Sequence, residues 1–220
     1  MKKYMTASLF SILIVFNLFA QKSDSSTVIP ITYKPTSAKE KLVKVTAQQM
    51  KANSEYQKGY NLVGNREFKK AIPPLKKAIS IDSTGNCGTS NNGIAYSELG
   101  LAYTRLGDFT NAIIYLNKAI QLNNFLPEPY LSKSILLMQQ GKNDLALETL
   151  NLLIVNVPDY AMGYVQRGFL YNSTQKYELA LQDFNTFLEV VKKQNQQQNS
   201  KELVDNIKKK IKEIEQKTKK

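Results

Sequence analysis

From Ala52 to Val191 the apolar residues fall at three- and four-residue steps, in short runs that stop and restart, as amphipathic helices do and strands do not. Tyr96, Leu99, Gly100 and Tyr103 share one helical face, Gly107 and Asp108 break the run, and Ala112, Leu116, Ala119 and Ile120 share a second face. This spacing predicts a helical hairpin with apolar surface it cannot cover alone, so a neighbour must stack on it. The pattern returns along the chain. Ala112, Ala146 and Ala180 recur at one constant interval, and Gly100, Ser134 and Gly168 keep the same interval, as do Tyr96, Tyr130 and Tyr164. Three columns with one period establish an internal repeat, and the class is all-α. Gly100 and Ala112 stand where the two helices of a hairpin cross, and bulky replacements there are expected to cost about 1–3 kcal/mol each by overpacking.

Outside the repeated region the pattern changes. Residues 1–20 combine Lys2 and Lys3 with an apolar run from Leu9 to Phe19 and a small residue, Ala20, which is the layout of a signal peptide. The run is interrupted by Ser11 and Asn17 and is shorter than the roughly 20 residues a membrane span needs. No cysteine follows it, so a lipid-anchored product is not expected, and the chain reads as exported to a periplasm or secreted. Residues 21–36 read as a linker and 37–51 as a leading helix. At the other end, Ser200 followed by Leu203, Val204, Ile207, Ile211 and Ile214 predicts an amphipathic helix over 200–216 that covers the last repeat, followed by a basic tail at 217–220.

The repeated residues resemble the tetratricopeptide repeat, a 34-residue family pattern of aromatic, Leu, Gly, Tyr, then Ala, a large apolar residue and Pro. The second unit (93–126) supplies Tyr96, Leu99, Gly100, Tyr103, Ala112, Leu116 and Ala119. The third (127–160) supplies Tyr130, Ser134, Leu137, Gly141, Ala146, Leu150 and Pro158, and the fourth (161–191) Tyr164, Gly168, Tyr171, Tyr177, Ala180 and Phe184. A more diverged first unit (52–85) carries Gly59, Leu62, Phe68, Ala71, Leu75 and Ala78, and the step from Gly59 to Gly100 is longer than that from Gly100 to Ser134. The additional residues fall in a Gly-, Asn- and Ser-rich stretch, 86–92, which reads as a surface loop. Leu153 and Phe187 replace the small residue of the pattern, which implies wider stacking after the third and fourth units. Pro73 and Pro74 imply a bend in the second helix of the first.

What the resemblance implies is a solenoid, a right-handed superhelix of hairpins with flanking helices, whose first helices line a concave groove. By register the groove positions are Tyr56, Tyr60, Leu101, Arg105, Leu131, Ile135, Met138, Met162, Val165 and Phe169. The Lys and Asn pattern that family members use to clamp a carboxyl terminus is not at those positions. The ligand implied is a helix or extended segment with apolar anchors.

Charge and chemistry narrow the function further. The net charge is +12, but the region from Ala52 to Val191 is neutral and the excess lies in the two flanks. Lys outnumbers Arg 27 to 3, leaving few of the planar guanidinium groups suited to reading bases, so sequence-specific nucleic-acid binding is not expected. There is no histidine, no phosphate-cradling glycine loop and no distinctive carboxylate pair, so no catalytic or metal site, cofactor or small-molecule substrate is called for. The lone Cys87 has no partner within the chain and reads as a spare loop residue. The functional expectation is a non-enzymatic scaffold or adaptor of the cell envelope that holds a protein or peptide in the groove. The alternative is a polyanion or membrane-surface binder that makes weak contact through its lysine-rich flanks.

Overall fold

The computed structural model describes residues 47–89, 91–195 and 200–218. The proposed signal peptide, the linker, most of the leading helix and the last two residues of the basic tail lie outside the described residues. Among these residues there are nine helices and no strand: α1 (Ala47–Gly64), α2 (Phe68–Ile81), α3 (Ile94–Leu106), α4 (Phe109–Leu122), α5 (Pro127–Gln139), α6 (Asn143–Asn156), α7 (Ala161–Ser173), α8 (Tyr177–Lys193) and α9 (Lys201–Thr218). α1 runs without interruption across the boundary between the leading helix and the first repeat. α2 stays helical through Pro73 and Pro74. α9 continues two residues into the stretch read as a tail.

Four antiparallel pairs, α1/α2, α3/α4, α5/α6 and α7/α8, are the hairpins. All four cross at the same place. A Cβ added at Gly59 would lie 2.5 Å from Leu75, one at Gly100 would lie 2.7 Å from Leu116, and one at Gly168 would lie 2.7 Å from Phe184. The same step along the sequence separates the two members of each pair, and in the third hairpin that step joins Ser134 to Leu150, both fully buried. The buried Ser134 hydroxyl donates to the Leu131 carbonyl at 2.8 Å, which satisfies a polar group that would otherwise be costly there. The turns between helices also repeat. Just beyond each first helix the chain adopts positive φ, at Arg66, Gly107, Gly141 and Gln175. The next amide in each turn reaches back to the helix, for example Asp108 to the Tyr103 carbonyl and Lys176 to that of Tyr171, and so satisfies the end of the helix.

Stacking joins α2 to α3, α4 to α5 and α6 to α7. The first helices of neighbouring units also touch, α1 with α3, α3 with α5 and α5 with α7, whereas neighbouring second helices make at most marginal contact. Helices that stand closer together on one side curve the stack, so the first helices form its concave side. Three buried clusters fill the interior, centred on Leu75, Leu99 and Leu116, on Tyr130, Leu150 and Leu153, and on Phe184, Phe187 and Ile207.

Two local expectations need correction. Leu153 does not simply prop the stack open, because Gly163 of the next helix lies against it: an added Cβ would be 3.2 Å from the leucine side chain. A large residue has been matched by a small one across the interface. Cys87 is not a spare surface residue. The loop folds back over α1, the Asn53 amide donates to the Cys87 carbonyl at 2.9 Å, and the thiol is buried in the cluster with Ala52 and Tyr56. Burial, with Asp82 nearby, pushes the thiol up to about 12. α9 packs on the last hairpin, where its Val204, Ile207 and Ile214 join Phe187 and Val191 in one cluster.

Candidate functional site

The concave row is built by α1, α3, α5 and α7, and the residues assigned to it by register separate into two groups. Tyr56, Ile135 and Val165 are buried, Val165 completely, and belong to the helix packing. Register defines the direction in which Cβ points but not how deep the packing leaves it, and Val165, for example, lies in the cluster with Phe184 and Ile207. Tyr60 and Arg105 are exposed, whereas Leu101, Leu131, Met138, Met162 and Phe169 are half-buried. Tyr60 lies against Tyr56 with ring centres 5.8 Å apart, and Phe169 meets Phe184 edge-on at 5.2 Å, so each has one face committed to the interior. Leu131 and Met138 pack on the third unit's cluster and Met162 on the fourth's.

Two carboxylates that register reasoning did not select stand on these helices, Glu98 of α3 and Glu128 in the first turn of α5. The Glu98 carboxyl is pushed up to about 7, first by burial and then by the neighbouring Glu128. Glu128 is also raised by burial, although its own backbone N–H pulls the other way, as the positive end of a helix should. Tyr56 feels the Glu98 charge and Tyr160 feels that of Glu128, and both phenols are pushed up chiefly by burial. Tyr56 of α1, Glu98 of α3, Glu128 of α5 and Tyr160 at the start of α7 therefore follow one another along the row of first helices. Glu98 is half-buried and Glu128 is exposed. A signal for Glu128 was available: it stands one full repeat before Met162, which register had selected.

Near the C-terminal end of α3 the Arg105 guanidinium is pulled down to about 10, first by the protein packed around it and then by the neighbouring Arg66, although the residue as a whole stays exposed. No described group of His, Cys, Asp and Glu is arranged to hold a metal, and no described helix is long and apolar enough to cross a membrane.

The raised Glu98 predicts a pH effect on stability. Folding favours its neutral form, so the stabilising contribution is full below the ordinary value of 4.5 and is lost as pH rises through about 7. Glu98→Gln should therefore be more stable than the parent at pH 8, by on the order of 1–2 kcal/mol once partial exposure is allowed for, and indistinguishable from it at pH 4. Thermal unfolding of both proteins at the two pH values checks this; an equal difference at both would refute it.

Residues 94–125 match the family model described as Tetratricopeptide repeat, the segment that contains α3 and α4. No curated protein matches the chain. Among solved structures the chain is similar to MamA, with 24% identity over 67% of this chain and 82% of that one, TM-score 0.57. It is similar to a tetratricopeptide repeat protein from Parabacteroides merdae, with 23% identity over 75% and 63% of the two chains, TM-score 0.54. It is also similar to PilF of Pseudomonas aeruginosa, with 16% identity over 66% and 63%, TM-score 0.57. At such identities the likeness is one of fold. Taken with the constant repeat interval and the shared hairpin crossings, it shows a tetratricopeptide-repeat fold, in which residues 94–125 match the family's repeat.

Proposed function

We propose that this protein is a non-enzymatic interaction scaffold of the cell envelope, exported by its leader, that holds a protein or peptide segment in the concave row of first helices. The observation that carries this reading is the row itself. Tyr60, Leu101, Leu131 and Met162 come from four consecutive units and keep accessible apolar surface on the inner side of the curve, where an extended segment or a helix can bury it. The export part rests on residues 1–20 alone.

The test charges the groove without touching its core. Phe169 is a poor site for this because its ring packs on Phe184, so Leu131→Glu is combined with Met162→Glu. Capture of partners from the native envelope by crosslinking should fall at least about tenfold, as expected for placing two carboxylates against an apolar ligand. Helicity should stay unchanged. Recovery of the same partners by parent and variant would remove the groove assignment, and absence of the protein from the envelope fraction would remove the localisation.

A further inference from the structure

The repeat supplies its own comparison for the outer side of the stack, and α6 departs from its siblings there. Counted from the repeated alanine (Ala71, Ala112, Ala146, Ala180), α6 carries Leu152 and Val155 where α2 has Lys77 and Ser80, α4 has Lys118 and Gln121, and α8 has Thr186 and Glu189. Leu145 stands on the same face, one residue before Ala146. Leu145 and Leu152 are half exposed and Val155 is 77% exposed, so these side chains are not taken up by the interior. Leu179, the counterpart of Leu145 on α8, is exposed as well. A groove of about 350 Å³ runs along the same stripe of α6, lined by Asp144, Leu147, Glu148, Asn151, Leu152 and Val155. Contiguous apolar surface of this kind loses contact with water when another apolar face covers it.

The charges on the stripe are of one sign. Asp144 and Glu148 are exposed, and no ion pair among the described residues engages either. Lys133 of α5 feels the Glu148 charge, and Asn151 accepts from Arg167, but the stripe itself has no basic residue. In a chain of net charge +12 it is a local acidic margin beside an apolar row. Its side chains stand three and four residues apart, which is the ridge spacing into which another helix fits. We infer that the outer face of α6 docks a helical segment of a separate protein, with apolar residues that cover Leu145, Leu152 and Val155 and a lysine or arginine that meets Asp144 and Glu148. A second copy fits less well. Its lysine-rich α9 has its apolar face committed to its own last hairpin, and α6 laid on α6 would bring acidic residues into an acidic face. This interface is separate from the concave row, so a scaffold that uses both sides can hold two proteins at once. A contact limited to one helix face belongs to the small, transient class, with affinity in the micromolar range.

The test uses a displayed library of helical peptides, selected on the full chain after depletion on Leu152→Gln/Val155→Gln, which gives α6 the polar outer face of its siblings. Enrichment of peptides with an apolar stripe and an adjacent lysine or arginine is expected, and no such enrichment overturns the inference. A selected peptide is then titrated against the parent and three variants, with helicity and melting temperature of each checked first. Binding should weaken at least about tenfold on Leu152→Gln/Val155→Gln and about tenfold on Asp144→Asn/Glu148→Gln, and should be unchanged on Leu131→Glu/Met162→Glu. Equal binding by the parent and Asp144→Asn/Glu148→Gln overturns the stated chemistry of the partner. Loss on Leu131→Glu/Met162→Glu instead places the peptide in the concave row and overturns the outer site, while survival there leaves the groove reading to its own test. A photo-crosslinker introduced in place of Val155 in the full chain reports the other occupants: a link to a second copy, or within one chain, overturns the assignment to a separate protein.

Discussion

Arg167→Met is expected to destabilise the protein by about 3–5 kcal/mol, because it leaves a buried charge without its partner. Asp183 is 2% exposed. The Arg167 fork donates to both its oxygens, Nε to Oδ2 at 2.8 Å and Nη2 to Oδ1 at 2.7 Å, and Nη1 donates to Asn151 at 2.7 Å. One guanidinium thus ties α6, α7 and α8 together, and Asp183 in turn holds the arginine more firmly charged than usual. The pair itself need not be a large net contribution, since both groups gave up water to form it. Arg167→Met/Asp183→Leu, which removes both charges and fills the space, should therefore recover most of the loss. Denaturant unfolding of the parent, the two single variants and the double variant gives the coupling directly. A single-variant loss below about 1 kcal/mol, within the range of exposed pairs, would show that the site is far wetter than the buried aspartate implies.

Phe184→Ala should cost a similar amount, about 3–5 kcal/mol, for a different reason. The ring is fully buried, lies over Gly168 at the crossing of α7 and α8, and meets Phe169 edge-on. Removing it opens a cavity that two helices already pinned by the Arg167 pair cannot close. The opposite change at the same place, Gly168→Ala, puts a methyl carbon 2.7 Å from the Phe184 ring and should cost about 1–3 kcal/mol by overpacking. Loss from both subtraction and addition is the mark of a filled crossing, and thermal unfolding of the two variants measures it. If Gly168→Ala left the melting temperature unchanged, the two helices would not be in contact there.

The repeat was legible because it is a local constraint repeated in one period. A small residue at Gly59, Gly100, Ser134 and Gly168, answered at a fixed step by Leu75, Leu116, Leu150 and Phe184, can be seen in a single sequence without any knowledge of what stacks on what. The terminal helix was legible for a related reason, since its apolar face has the helical period. The groove was legible only as a direction. Tyr56, Ile135 and Val165 share the register of Leu101 and Leu131, yet the first three are buried and the others keep accessible surface. Cys87 was misread because a loop rich in Gly, Asn and Ser looks solvated, whereas the hydrogen bond from Asn53 draws it onto the core.

The order of residues alone determined that this chain forms paired helices of similar length, that the pairs must stack, and which small residues let them cross, because each of these follows from spacing within a few turns of helix. Only the tertiary structure decided which charges are matched inside, as for Arg167 with Asp183, and which carboxyls act on one another from separate units, as for Glu98 and Glu128. Burial and pairing are properties of distances between separate units, and those distances are set by how the hairpins pack rather than by what any one of them contains.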